Sequence, residues 1–259
     1  MTTISEKEII STPAEVVRAW NDYAPHYWSF ANLRWLYDGF RKKMKKALIP
    51  CNGGIVLDGG CGSGSNFKTI IDAQRPRLLV GVDLSPAMLR EAEKMKTNLN
   101  GRRGCEIKLI NADFCQKLPL PSNYFDAQLY HLVLYYLPYG GWRKSIAEEA
   151  FRIAKPGGYV VTTDFLKGYD FRKTVGSGWR PILLGFMELF YGRFLTYLHF
   201  MRNVRPVLLR IQELEEGGVL RFPTEEELTA AFEQAGFIKI EIISRLIGGG
   251  MVLRAFKPR

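Results

Sequence analysis

Three carboxylates, each closing an apolar run, are the side chains of this chain best placed for chemistry. Asp58 follows Ile55-Val56-Leu57, Asp83 follows Leu78-Leu79-Val80-Gly81-Val82, and Asp113 ends Ile107-Lys108-Leu109-Ile110-Asn111-Ala112. After Asp58 the chain reads Gly59-Gly60-Cys61-Gly62-Ser63-Gly64, with glycines at alternate positions 60, 62 and 64, and then a helix-compatible segment from Ser65 to Ile71. A strand, a glycine loop and a helix in this order let a ligand approach bare backbone amides at a helix N-terminus. Glycine is needed there because a Cβ would block the tight turn or the ligand. An acid about 20 residues beyond such a loop suits a ribose, since one carboxylate accepts both hydroxyl protons. The dinucleotide spacing G-x-G-x-x-G would require a third glycine where Ser65 stands. The spacing therefore leaves two readings, a nucleoside ligand of another kind or a purely structural loop of an α/β protein.

Two further segments extend the series. Tyr124-Phe125-Asp126-Ala127-Gln128-Leu129-Tyr130-His131 reads as a strand running into the apolar Leu132 to Pro138. Arg152 to Val161 reads as a helix end, a Pro156-Gly157-Gly158 turn and a strand from Tyr159 to Asp164. Ser85-Pro86 has the form of a helix start, serine as N-cap and proline at the first helical position. The form Gly60-x-Gly62-x-Gly64 preceded by Asp58 resembles motif I of class I S-adenosylmethionine methyltransferases. Leu84-Ser85-Pro86-Ala87-Met88-Leu89 looks like that family's second motif, and five motifs stand in family order over residues 55–164.

The resemblance implies an α/β fold: a Rossmann-like, seven-stranded, mostly parallel sheet of order 3-2-1-4-5-7-6, its last strand antiparallel, with helices on both faces. It also implies S-adenosyl-L-methionine as cofactor, held by Asp58, Gly60, Cys61, Gly62, Gly64, Asp83, Leu84, Met88, Asp113, Phe114 and Tyr130. In the family the acid at Asp113 accepts the adenine amino proton and its neighbour, here Phe114, packs on the ring. Met88 reads equally as an adenine contact and as an ordinary core methionine.

Composition sets the bounds. The chain has 259 residues, 47% hydrophobic and 24% charged, as expected of one large folded domain or one domain with an insertion. It shows neither an apolar run of about 20 residues nor a basic-then-apolar leader, so a cytoplasmic protein is expected, with membrane association left open. Its four cysteines, Cys51, Cys61, Cys105 and Cys115, lack zinc spacing and read as reduced thiols. The formal charge of +10 gathers in Arg41-Lys42-Lys43-Met44-Lys45-Lys46, around Lys94 to Arg103, and in arginines of the second half. Nucleic acid, an anionic membrane surface and solubility are all compatible with it, but the absence of a nucleic-acid-binding module signature weighs against the first.

Residues 1–50 are expected to form a helical lid, with Tyr23, His26 and Tyr27 in an aromatic run from Trp20 to Phe30. Residues 51–164 and 224–259 make the cofactor-binding core. Residues 165–223 are a helical insertion over the acceptor site. Pro181 to Met201 is almost wholly apolar, and Glu188, Gly192, Thr196 and His199 within it, with Asn203 just beyond, trace one narrow stripe. Such a surface must be buried against the core, a second subunit, a lipid substrate or a bilayer. His131, Tyr23 and Tyr27 are the candidate catalytic residues, His131 as base or orienter.

Methyl transfer from a sulfonium needs alignment and a dry pocket more than acid–base help, so the absence of a triad is neutral. The C-terminal run resembles ubiquinone/menaquinone C-methyltransferases. The chain departs from them near Tyr135-Tyr136, where they carry an Arg-Asn pair, and in lacking their Asp- and Asn-rich lid motif. The expectation is a monomeric or homodimeric methyltransferase acting on a small hydrophobic or lipid-like acceptor, with peripheral membrane contact. The alternatives are an RNA or protein methyltransferase using the basic surface, or a non-methylating protein of the same fold.

Overall fold

The computed structural model describes Arg18, Asn21, Ala24, residues 34–99, 101–113, 116–134 and 142–170, Lys173, Arg202 and residues 222–259; the side chains of 34–39 and 142–145 are outside the description. Within these residues the chain runs α1 (Arg34–Ala47), β1 (Ile55–Gly59), α2 (Phe67–Gln74), β2 (Leu78–Asp83), α3 (Pro86–Leu99), β3 (Glu106–Asn111), β4 (Phe125–His131), α4 (Trp142–Ile153), β5 (Ala154–Phe165), α5 (Glu225–Gln234), β6 (Ile238–Leu246) and β7 (Gly250–Phe256). The seven strands form one sheet of order β3-β2-β1-β4-β5-β7-β6. Strands β1 to β5 pair in parallel, and β7 runs antiparallel to both β5 and β6. This is the expected topology.

The physical reason lies in burial. All five residues of β1 and the first five of β2 are buried, which suits central parallel strands covered on both faces. Strand β3, at one edge, exposes Glu106, Lys108 and Asn111. One face carries Met44 of α1, Phe67, Ile70 and Ile71 of α2, and Ala92 and Leu99 of α3. The other carries Ile146, Ala147, Ala150 and Ile153 of α4 with Leu228, Ala231 and Phe232 of α5. Truncating one of the fully buried aromatic anchors, such as Phe67 or Phe232, should cost about 3–5 kcal/mol.

Helix starts follow local chemistry. Ser85 Oγ accepts the Met88 amide at 3.1 Å, as an N-cap before Pro86 should. Thr224 and Glu227 form a reciprocal capping box on α5, each side chain accepting the other's backbone N–H at 3.1 Å. One boundary differs from expectation. The Pro156-Gly157-Gly158 turn lies inside a continuous β5 that begins at Ala154, and pairing with β4 jumps from Phe125↔Ala154 to Ala127↔Tyr159. Gly158 permits the bulge, since a Cβ there would sit 2.9 Å from the Lys155 carbonyl and 3.0 Å from that of Phe125.

Order 2-1-4 reverses the strand sequence between β1 and β4, and ligands of open α/β sheets bind at such a switch point, beyond the carboxyl ends of the strands. The glycine loop leaves β1 there.

Candidate active site

At the carboxyl ends of the strands, register and alternation bring a line of polar residues to one face. Asp83 pairs with Asn111, Gly60 follows the Gly59↔Val82 pair, and His131 pairs with Thr163. Leu129 and Val161, two residues earlier on β4 and β5, lie in the cluster under α1 to α3. His131 and Thr163 therefore face the same way, as does Asp58 two residues after Val56. With strands about 4.8 Å apart, the line from Asp83 through Gly60 and His131 to Thr163 spans roughly 15 Å.

The glycine loop closes on its own protein. The Val82 carbonyl accepts the Gly60 amide at 2.8 Å and the Cys61 amide at 3.0 Å, and Asp83 Oδ2 accepts the Gly62 amide at 2.9 Å. A Cβ at Gly60, whose φ is +69°, would lie 2.4 Å from Val133, so this glycine is required by both conformation and packing. This corrects the expectation of bare amides awaiting a ligand. The amides of residues 60–62 are spent inside the protein, because the loop folds back over the end of β2 and must satisfy its buried donors there.

What the loop leaves unsatisfied is a set of side chains. Both oxygens of Asp58, which is 0% exposed, together with Ser63 Oγ, Asn66 Oδ1 and Thr163 Oγ1, are buried without a hydrogen-bond partner. Buried polar groups in folded proteins are nearly always paired, so a cluster of orphans at a strand end marks a ligand. Burial, and then the neighbouring Asp83, push the Asp58 carboxyl well above the usual carboxylate range. Asp83 is also raised by burial, countered by the amides of Ser85, Gly62 and Leu84. A cation placed beside the two carboxyls would relieve the cost of ionising them, so the pair favours a ligand carrying positive charge, as an adenosyl sulfonium with an α-amino group does.

The remaining expected residues fall as follows. Leu84 is half-buried, and its carbonyl with that of Asp83 accepts Asn111 Nδ2, both at 2.9 Å. Met88 is buried against Ala24 and Ala87. Cys61 is buried, and burial followed by Asp83 and Asp58 pushes its thiol up, so it is a packing group that does not ionise. The absent Cβ of Gly64 leaves room for the ring of Phe67. Asp113 is half-buried two residues beyond β3, and its carbonyl accepts the Gln116 amide at 3.2 Å. Tyr130 is buried in the core facing α4 and α5, its hydroxyl donating to Gln128 Oε1 at 3.0 Å. It packs beneath Gly59, one face away from the polar line. Tyr23, Tyr27 and Phe114 lie outside the described residues.

His131 is buried, and burial together with the charge of Arg41 on α1 lowers its imidazole to about 3. At neutral pH it is uncharged and a poor proton acceptor. The backbone beside it is strained: Leu132 has φ +57°, held by donation of its amide to the Thr163 carbonyl at 2.6 Å. Asp164 Oδ1 accepts the Leu134 amide at 2.9 Å and fixes the next step of that loop.

Several residues were not singled out by sequence. Ser63, Asn66 and Thr163 matter because they are buried and unpartnered, which no spacing rule reports. Asn21 Oδ1 accepts from Ser85 Oγ at 2.7 Å and from the Ala87 amide at 3.3 Å, tying the N-terminal region to the helix beside Asp83. Among the described residues no group of His, Cys, Asp or Glu has the arrangement of a metal site.

A parallel sheet of this order, a glycine loop at its switch point and paired acids at the ends of β1 and β2 make up the architecture of the class I S-adenosylmethionine-dependent methyltransferase fold. Residues 57–162 match the family described as a methyltransferase domain. The chain is 28% identical over 249 residues to a demethylmenaquinone methyltransferase of Geobacillus kaustophilus, covering 92% of each protein. It is 26% identical over 220 residues to the demethylmenaquinone methyltransferase of Anoxybacillus flavithermus, covering 85% of this chain and 84% of the other. The crystal structure of geranyl diphosphate C-methyltransferase from Streptomyces coelicolor A3(2), with S-adenosyl-L-homocysteine bound, shares the fold at a TM-score of 0.62 and 13% identity, covering 97% and 99% of the two chains. Residues 57–162 thus carry the likeness to a methyltransferase domain, and over most of its length the chain is similar to methyltransferases.

Proposed function

We propose that the protein transfers the methyl group of S-adenosylmethionine to a small hydrophobic or lipid-like acceptor. The buried, unpartnered Asp58 carboxyl beside Asp83 is the observation that carries the cofactor half of this reading. Asp83 binds the ribose hydroxyls while holding the Gly62 and Ser85 amides. Asp58, Ser63 and Asn66 take the amino-acid end, and Asp113 with Phe114 takes the adenine. When bound, the cofactor supplies an activated methyl on a good leaving group. The chain's own residues then have only to align the acceptor and exclude water.

The demethylmenaquinone methyltransferases similar to this chain support an acceptor that is small and apolar. The long apolar stretch within residues 165–223 supports a greasy cover over it, seated at a membrane surface by the basic residues of the chain. Among the described residues no helix is long and apolar enough to cross a membrane.

The test is to supply S-adenosylmethionine labelled in its methyl group together with a mixture of lipid extract, RNA and protein. The label is expected in the solvent-extracted lipid fraction, and demethylmenaquinone is the first pure acceptor to try. Label confined to RNA or protein would overturn the acceptor class.

A further inference from the structure

Most basic side chains of the described fold are spent inside it. Lys68 of α2, Lys94 and Lys96 of α3, Lys108 of β3, Arg152 of α4 and Arg245 of β6 all stand in ion pairs. Helix α1 is different. Between Phe40 and Ala47 it carries five basic residues and no acid. Phe40, Met44 and Ala47 are buried, at steps of four and three, so this stripe faces the sheet. Lys42, Lys45 and Lys46 fall on the opposite side of the helix, within about one turn, and all three are exposed. Among the described residues none of the three has an ion-pair partner. Helix α5, which packs on β6 from the other face of the sheet, carries Glu225, Glu226, Glu227 and Glu233 and no basic residue. Lys43 Nζ donates to the Arg245 carbonyl and ties α1 to β6, and the Arg245 side chain pairs with Glu225 of α5. One end of the sheet is thus basic on one face and acidic on the other.

We infer that the face of α1 formed by Lys42, Lys45 and Lys46 docks the protein on an anionic lipid surface. This rests on the reading of the acceptor as lipid-like, and names the face of the fold that meets the bilayer. Solubility is served by either sign of charge and by paired residues, as on α2 and α3. Three unpaired lysines within one turn repel one another in the free protein, and a plane of lipid phosphates relieves that repulsion. Lysine is a compact, hydrated point charge on a flexible stem, which suits a fluid layer of headgroups, and it lacks the fork with which arginine grips a single phosphate. The described part of α1 exposes no aromatic ring on which a nucleic-acid base could stack. Its position also serves the acceptor. The ring of Phe40 packs edge-on against Phe165, the last residue of β5, with centroids 6.1 Å apart, so α1 passes beside the ligand end of the sheet. A bilayer held along α1 borders the carboxyl ends of the strands, and the acidic α5 is turned away from it.

Flotation of the full-length protein with phosphatidylcholine vesicles, with and without phosphatidylglycerol, reads this docking directly. Wild type should float with the anionic vesicles only, and molar salt should release it. Lys42→Gln, Lys45→Gln and Lys46→Gln combined should weaken binding by on the order of a hundredfold, roughly fivefold for each charge removed. All three positions are exposed, and circular dichroism verifies that the variant is folded. Lys94→Gln, Lys96→Gln and Lys108→Gln combined take the same net charge from ion-paired positions and should weaken binding far less. Equal losses in the two triple variants would overturn the proposal. So would flotation with neither vesicle, or tighter retention of wild type by an RNA homopolymer than by the anionic vesicles. Vesicle binding is read without methyl transfer. Its absence in a protein that still labels the lipid fraction counts against this inference alone, whereas label confined to RNA or protein counts against the acceptor reading as well.

Discussion

The two ends of the polar line differ in the groups they bring together. At the β1–β2 end stand two carboxyls, Asp58 and Asp83, one buried without a partner and the other holding the loop amides. At the β4–β5 end stand an uncharged His131, an unpartnered Thr163 hydroxyl and the buried Asp164 carboxyl, which holds the Leu134 amide. The first end is a pair of carboxyl acceptors, one of them unpartnered; the second combines a hydroxyl and a neutral imidazole with a carboxyl already in use. A protein that only bound a nucleoside would need the first end alone. The second end is where an acceptor would have to lie.

Substitutions at the acidic end should break this comparison most severely. Asp83→Ala removes the ribose acceptor and frees the Gly62 and Ser85 amides, so calorimetric affinity for S-adenosylmethionine should fall by on the order of 2–4 kcal/mol. Wild-type affinity would contradict the ribose role. Asp58→Asn should weaken the same binding by about 1–3 kcal/mol, and that of S-adenosylhomocysteine, which keeps the α-ammonium group, by a similar amount. An effect confined to S-adenosylmethionine would place Asp58 at the sulfonium instead.

Asp58 also sharpens the comparison through pH. Its carboxyl is raised in the folded protein, so the folded state holds this proton more tightly than the unfolded chain does. The stabilisation is full below the ordinary carboxylate range and declines as pH rises from there towards the folded value. Urea unfolding of the cofactor-free protein should therefore show stability falling with pH over that interval. Asp58→Asn should flatten the fall and make the unliganded protein the more stable of the two at neutral pH. A smaller effect belongs to the clasp at the N-terminal region. Asn21→Ala removes two acceptor contacts at the start of α3 and should cost about 1 kcal/mol of cofactor affinity, read by the same titration.

How much of this was legible in the sequence follows from the kind of signal each residue gives. Asp58, Asp83 and the Ser85-Pro86 start lie at ends of strands and helices, where apolar runs stop and caps begin, so pattern alone locates them. The strand order needed the family resemblance as well, because periodicity says nothing about which strands are neighbours. Gly60 was legible as a glycine but not in its purpose. Its bare Cα makes room for Val133, and its amide is taken by Val82, contacts that exist only once β2 and the loop after β4 have come together. Thr163 reads as an ordinary strand threonine until burial without a partner is seen. His131 looked like a base by type and place, and only burial beside Arg41 shows it uncharged.

The most direct test is proton counting. S-adenosylmethionine is titrated calorimetrically into wild-type and Asp58→Asn protein in buffers of different ionisation enthalpy. If a buried, protonated carboxyl receives the cation, wild type releases more protons than the variant on binding, and binds more tightly. Identical proton release and identical affinity in the two proteins would contradict the assignment of the acidic end to the cofactor's positive charge.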